Sequence, residues 1–142
     1  MLRKPLTIKQ KIAAKIDKAG GDVFLTSEFA DIAGYDQVLR VLRQLVVEGK
    51  MVKLGLGVYA RAEPNPINGQ PMLAAPGGLM GAARQALTKL GANWDETQEV
   101  YDYNAGRSTQ IPANAVFRIR GGRLPRKLSY RGKEVVYEQQ QA

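Results

Sequence analysis

The chain has 142 residues, 44% of them hydrophobic, and a formal net charge of +8 from 21 basic and 13 acidic side chains. This length fits one medium domain or two small ones, and this apolar content excludes global disorder. Because the chain has neither Cys nor His, disulfides and Ser-His or Cys-His catalysis are excluded, and a zinc site would lack its usual ligands. We therefore expect no metal, no cofactor and no enzyme activity.

The first predicted element is a helix from residue 6 to residue 19. Ile8, Ile12 and Ile16 form one apolar stripe on it, and the lysines lie off that stripe. Gly20-Gly21 ends the helix. A short strand, Val23-Phe24-Leu25, follows.

Two further helices are predicted before residue 49. Thr26 or Ser27 offers an N-cap for a short helix from Glu28 to Ala33, which Gly34 stops. The next helix runs from Asp36 to Glu48 and ends at Gly49. Its predicted buried face is formed by Leu39, Leu42, Leu45 and Val46.

A tight hairpin follows the third helix. Residues 51–54 and 58–61 are strand-like runs around Gly55-Leu56-Gly57. The order helix, short strand, helix, turn, helix, hairpin is that of a winged helix-turn-helix. We assign it to residues 1–62, and we expect a fragment ending near Ala62 to fold alone.

Three prolines between residues 63 and 71 predict a linker over 63–76, followed by a second domain at 77–142. Leu79 to Leu90 is a predicted helix, and Ala115 to Arg120 alternates like a half-buried strand. Residues 127–130 and 134–137 predict a hairpin that closes at Arg131-Gly132. The predicted fold class is α+β: a winged helix-turn-helix, then a small α+β domain with a short antiparallel sheet.

In a helix-turn-helix, the second helix of the motif enters the major groove and its outward side chains meet base edges. On the predicted helix over 36–48 the outward residues are Gln37, Arg40, Val41 and Gln44, with Arg43 at the margin. Arg can pair bidentately with guanine and Gln with adenine. An ordinary solvated helix face, or a protein-docking face, is the alternative.

The chain from Arg107 to Lys133 has eight basic residues and no acid. It predicts a second nucleic-acid surface, a solvated strand face or a contact for an acidic protein. The acidic residues Asp95, Glu96, Glu99 and Asp102 precede it; they suit either magnesium or a solvated turn that balances nearby arginines. The predicted DNA-contacting residues are Thr26, Ser27, Tyr35, Gln37, Arg40, Arg43, Gln44, Lys53, Arg61, Arg118, Arg120 and Arg126.

The sequence resembles the AbiEi-like antitoxins of abortive-infection toxin–antitoxin systems. The similar stretches are residues 12–29, 38–45, 48–59, Pro64-Asn65-Pro66, 83–90 and Ser108-Thr109-Gln110-Ile111-Pro112-Ala113. The resemblance implies a repressor that binds inverted repeats upstream of its own operon and counters a nucleotidyltransferase-like toxin. By position, the family's DNA-reading helix falls on Gln37, Arg40 and Gln44.

The expected function is that of a sequence-specific regulator that binds double-stranded DNA and acts as an antitoxin-type autorepressor, and a homodimer on the DNA is among the expected partners. The basic excess supports a phosphate-rich partner, because neutralised phosphates release condensed counterions. A plasmid or phage accessory factor, an RNA-binding module and an interaction adaptor are the alternatives. No apolar run is long enough for a membrane span and no signal-peptide stretch is present, so a cytoplasmic location without membrane contact is expected.

Overall fold

The computed structural model describes residues 4–112 and 114–140. Its first half runs α1 (Ile8–Lys18), β1 (Val23–Leu25), a 3₁₀ helix (Thr26–Phe29), α2 (Tyr35–Val47), β2 (Met51–Gly55) and β3 (Val58–Pro64). The second half runs β4 (Pro71–Leu73), α3 (Gly78–Lys89), β5 (Trp94–Glu96), α4 (Gln98–Asn104), β6 (Val116–Arg120), β7 (Ser129–Tyr130), β8 (Lys133–Glu134) and β9 (Val136–Gln140). The predicted α+β class is confirmed.

Helix α1 starts with a capping box. The Gln10 N–H donates to Thr7 Oγ1 (3.1 Å), and the Thr7 N–H donates to Gln10 Oε1 (2.9 Å). The predicted apolar stripe is confirmed, because Ile12 and Ile16 are buried among the side chains of α2 and β1. This packing fixes α1 against the back of α2.

The predicted short helix over residues 28–33 is wrong. A 3₁₀ helix at Thr26–Phe29 takes its place, and turns follow it. The Glu28 carboxylate accepts a hydrogen bond from the Leu25 N–H (2.7 Å), which tightens the entry to this turn. Because Phe29 must be buried so soon after β1, the chain winds in the narrower i→i+3 geometry that suits short pieces.

The buried stripe predicted for helix α2 is confirmed at Leu42 and Leu45 and wrong at its edges. Val41, predicted to point outward, is only 7% exposed, whereas Leu39 and Val46, predicted to point inward, are partly exposed. Helix α2 has apolar residues beyond one narrow stripe, so the sequence allows more than one choice of buried face. Packing against α1, the 3₁₀ helix and β2 decides which face is buried. The buried residues of α2 are Val38, Val41, Leu42 and Leu45.

The predicted linker over residues 63–76 contains a β-hairpin. Strand β3 extends to Pro64, and β4 pairs antiparallel with it in the register Ala62↔Leu73 and Pro64↔Pro71. The two prolines end the ladder at the position where a missing N–H costs least. The sheet order is β1-β3-β2, with β4 added to the outer end of β3.

The two predicted domains share one apolar core. Val23 and Val58 from the first half lie in the same buried cluster as Leu87 of α3, Phe117 of β6 and Leu128 near the end of the chain. At the polar rim of this core, Gln85 of α3 binds the residue before β1: its Oε1 accepts from the Asp22 N–H (2.7 Å). The division at residues 62 and 77 therefore does not separate two independent packing units.

The second half contains a three-stranded sheet in the order β5-β6-β9. Strand β5 pairs antiparallel with β6, but β9 pairs parallel with it, which the sequence did not predict. The predicted alternation in β6 is confirmed, since Phe117 and Ile119 are buried between more exposed neighbours. The predicted hairpin is confirmed but short, with β7 and β8 meeting at Arg131 and Gly132, which both have positive φ (49° and 79°).

Candidate nucleic-acid interface

Helix α2 presents an open polar face on the side away from the core. Gln37, Arg40, Arg43 and Gln44 are all exposed along it, and we call these four residues the α2 face. Arg43, predicted at the margin, lies within this face because the buried stripe runs through Val41. Besides Arg40, Arg43 and Gln44, the shallow groove along this side of the helix is lined by Tyr35, Asp36, Leu39, Val47 and Glu48.

The two arginines of the α2 face lack acidic partners. Within the described residues, no carboxylate oxygen lies within 4.0 Å of the guanidinium of Arg40 or Arg43. Glu48, just beyond the end of α2, is held by Lys9, and this hydrogen bond lowers the pKa of the carboxyl. The centre of the face therefore carries two cations that are free to bind anions.

The β2–β3 hairpin stands beside the α2 face. Lys53 lies opposite Tyr59 in this hairpin; opposed residues share a face of a sheet, and Lys53 is exposed at the edge. Tyr59 is buried with the α2 side chains, and burial raises its pKa while the positive charge of Arg43 acts in the opposite direction. Arg43 thus lies where α2 meets the hairpin.

A cleft of about 270 Å³ lies between the 3₁₀ helix, the start of α2 and the turn of the hairpin. The structure brings together here four predicted DNA-contacting residues, and one of them, Arg126, is distant in sequence from the other three. We call it the turn cleft; its lining includes Thr26, Ser27, Tyr35, Leu56, Gly57 and Arg126.

Arg61 belongs inside the fold, not to the predicted interface. One guanidinium nitrogen, Nη2, donates to the carbonyls of Ile16 (2.9 Å) and Gly21 (2.9 Å), and Nε lies 3.5 Å from Asp22 Oδ1. The guanidinium group of Arg61 also lies over the Phe24 ring. These contacts fasten the end of α1 to β3, so Arg61 is not part of the candidate interface.

Arg118 is also used internally. Its Nε donates to the Glu96 carbonyl (2.8 Å), and its Nη2 lies 3.6 Å from Asp95 Oδ2. Arg120, two residues further along β6, is exposed, while Arg126 lies in the turn cleft. The three predicted arginines of the second half therefore have different environments.

The acidic residues before β6 pair with arginines. Glu96 binds Arg84 and Asp102 binds Arg107 (3.1 Å). Hydrogen bonds from Gln98 and Arg107 lower the pKa of Asp102, and no group of three or more metal-ligating side chains occurs in the described part of the chain. The predicted balancing of nearby arginines is confirmed, but the acids lie on β5 and α4 and not in a solvated turn.

Two features of this surface were missed in the sequence. Leu39 and Val47 lie along the groove of α2, and Gly57 forms the floor of the turn cleft. A helical wheel centred on Val38, Val41, Leu42 and Leu45 would have found the first. Nothing in the sequence pairs Gly57 with Arg126, 69 positions later.

Among the described residues, no helix is both long enough and apolar enough to cross a membrane. No family model, no curated protein and no solved structure matches this chain.

Proposed function

We propose that the chain is a sequence-specific regulator that binds double-stranded DNA through the α2 face. The carrying observation is that Gln37, Arg40, Arg43 and Gln44 are exposed on one side of one helix, with both arginines free of acidic partners in the described residues. Helix α2 has 13 residues and is about 20 Å long, a size that fits the major groove.

In this proposal residues 8–64 act as a winged helix-turn-helix. The 3₁₀ helix and its turns take the place of the first helix of the motif, α2 is the recognition helix, and the β2–β3 hairpin is the wing. Arg40 and Arg43 suit guanine edges and Gln37 and Gln44 suit adenine edges. Lys53 beside the helix suits a backbone phosphate, which positions the protein without specifying sequence.

We further propose that the protein acts in the cytoplasm as an autorepressor of antitoxin type, bound as a homodimer to inverted repeats. Its support is the resemblance in residues 38–45 and 108–113 to the AbiEi-like antitoxins. The neighbouring open reading frame tests the antitoxin role. A nucleotidyltransferase-like gene whose toxicity this chain suppresses on co-expression is expected; its absence, or toxicity that persists, would contradict this part.

Selection from random double-stranded DNA with the full chain tests the DNA-binding role. We expect an enriched motif, with Arg40→Ala and Gln44→Ala each losing about 1–3 kcal/mol on that motif and far less on scrambled DNA. Lys18→Ala is the control, because it removes an exposed cation of α1. No enrichment, or an equal small loss for all three variants on both probes, would contradict sequence-specific binding.

A protein partner for the same face is the second candidate. Val47 is 88% exposed at the end of the groove and Leu39 is partly exposed within it, which favours some apolar contact. If Val47→Ser abolished binding to an acidic protein partner while DNA selection failed, this candidate would replace the first.

A further inference from the structure

Arg126 reaches the turn cleft from the second half of the chain, and its position there is fixed. Its Nη1 donates to the Leu56 carbonyl (2.9 Å), and its own carbonyl accepts from the Tyr137 hydroxyl (2.8 Å). The next two residues are held as well: the Lys127 carbonyl lies against the backbone of Gly55, and Leu128 is completely buried. The backbone of Arg126 is therefore held at the hairpin turn, and one hydrogen bond keeps its exposed guanidinium there, which lowers the cost of ordering it on a ligand.

The guanidinium keeps donors for a ligand. In the described residues the Leu56 carbonyl is its one hydrogen-bond acceptor, and no carboxylate oxygen lies within 4.0 Å of it. Two acids are adjacent in sequence to the lining of the cleft. Glu28 is bound by Lys89 and by the Leu25 N–H, and Asp36 lines the groove of α2 instead of this cleft. Arginine presents its N–H groups in a planar fork that matches phosphate oxygens.

Thr26 supplies a second polar group that lacks a partner. Its side chain is 6% exposed, and Oγ1 has no hydrogen-bond partner among the described residues. Buried hydroxyls are normally hydrogen-bonded, so this one is available to a ligand. A Cβ placed on Gly57 would stand 3.6 Å from Thr26 Oγ1 and 2.9 Å from Arg126 Nη1, so both groups border the space left by the absent side chain.

Two exposed hydroxyl side chains stand at the mouth of the same cleft. Ser27 and Tyr35 are both exposed, and both line the cleft with Arg126 and Gly57. No acidic side chain lines it. A fixed guanidinium, three hydroxyls and a glycine that permits close approach form a site suited to a tetrahedral oxyanion with several acceptor oxygens.

We propose that the turn cleft binds a phosphate of the DNA backbone next to the bases read by the α2 face. This inference rests on the proposed function. It adds Arg126, from the second half of the chain, to the residues that contact DNA. Tyr35, at the first residue of α2, connects the two surfaces. Arg126 then contacts a backbone phosphate and positions the protein on the DNA. Removing its side chain weakens DNA binding without changing the preferred sequence.

DNA affinity measured against salt concentration tests the proposal on the full chain. Arg126→Ala is expected to weaken binding about tenfold and to lower the slope of log affinity against log salt by about 0.9, the value for one phosphate. Arg126→Lys should restore the slope but only part of the affinity, and Thr26→Val should lose affinity with the slope unchanged. Arg123→Ala, which removes the same charge from an exposed neighbour, is the matched control.

A titration with inorganic phosphate separates the site from the DNA. Amide resonances of Thr26 and Gly57 should shift in the wild type and in Arg123→Ala, but not in Arg126→Ala, whose thermal midpoint shows whether it is folded. If the wild type bound no DNA, shifts at these amides would still support an oxyanion site and their absence would overturn it. If it bound DNA and the slopes of Arg126→Ala and Arg123→Ala were equal, or Thr26→Val were unchanged, the phosphate site would be overturned.

Discussion

Lys89 Nζ lies 2.8 and 2.9 Å from the two carboxylate oxygens of Glu28, so the last turn of α3 binds the 3₁₀ helix of the first half directly. The ammonium also lies 4.9 Å from the centre of the Phe24 ring. Both charged side chains are 32% exposed, and Glu28 is further held by the Leu25 N–H. One carboxylate thus joins three segments of the chain.

We expect Lys89→Ala and Glu28→Gln each to lower the free energy of unfolding by about 1 kcal/mol, because a partly exposed ion pair and a cation–π contact are lost. Urea unfolding measures both, and the double variant should lose less than the sum of the two. Lys133→Ala, an exposed lysine of β8, is the control. Strict additivity would show that the two side chains do not act together.

A fragment of residues 1–62 should fail to fold, contrary to the expectation from the sequence. The cut removes β4 and α3 and exposes the face of the sheet formed by Val23, Leu54 and Val58. A chain of this size has little stability to lose. Amide proton spectra of the fragment and of the full chain measure the difference; dispersed resonances from the fragment would restore the two-domain description.

The same substitution on opposite sides of α2 should have opposite outcomes. Val41→Ala should lower the free energy of unfolding by about 2 kcal/mol, because it leaves a cavity at a buried site. Val47→Ala should change it by less than about 0.5 kcal/mol, because Val47 is a surface residue. Chemical denaturation of the two variants side by side checks the buried stripe, and equal losses would contradict it.

Acid stability should depend on Tyr101. The hydrogen bond from its hydroxyl, aided by the Glu96 N–H, lowers the pKa of Asp95 in the folded state. A lowered pKa contributes stability above the ordinary value of about 4, and that contribution is lost as the pH falls through the folded-state pKa. Tyr101→Phe should therefore raise the pKa of Asp95 and reduce stability at pH 7 more than at pH 2.

A carboxyl NMR titration of Asp95 measures the first effect, and denaturation at the two pH values measures the second. Tyr103→Phe, on the same short helix, is the control. An unchanged Asp95 titration in Tyr101→Phe would contradict the assignment of the hydrogen bond.

Local patterns predicted the elements whose partners are close in sequence. The capping and apolar spacing of α1, the turn at Gly55-Leu56-Gly57 and the alternation of Phe117 and Ile119 all express short-range chemistry. Local patterns could not fully define the buried face of α2, because it depends on which elements pack against the helix. The 3₁₀ helix was missed for a similar reason, since the burial of Phe29 decides its pitch.

The features that the sequence did not predict depend on contacts between residues far apart in the chain. Arginine side chains are usually exposed, yet those of Arg61 and Arg118 donate hydrogen bonds to backbone carbonyls of distant segments. The parallel pairing of β6 with β9 and the approach of Arg126 to Gly57 have no local signature. The α2 face was predictable in part: local periodicity placed Gln37, Arg40 and Gln44 outward, but it also placed the buried Val41 there. The turn cleft was not predictable, because it is assembled from three segments.

The burial of Leu128 and Val135 against the β1-β3-β2 sheet has a consequence for synthesis of the protein. A ribosome makes the α2 face early, but the apolar cluster that includes Val23 and Val58 of the adjoining sheet lacks these two side chains until residue 135 has emerged. Such contacts between distant residues also form slowly. The sheet behind the α2 face should therefore lack part of its apolar support until residues 128–135 have been synthesised.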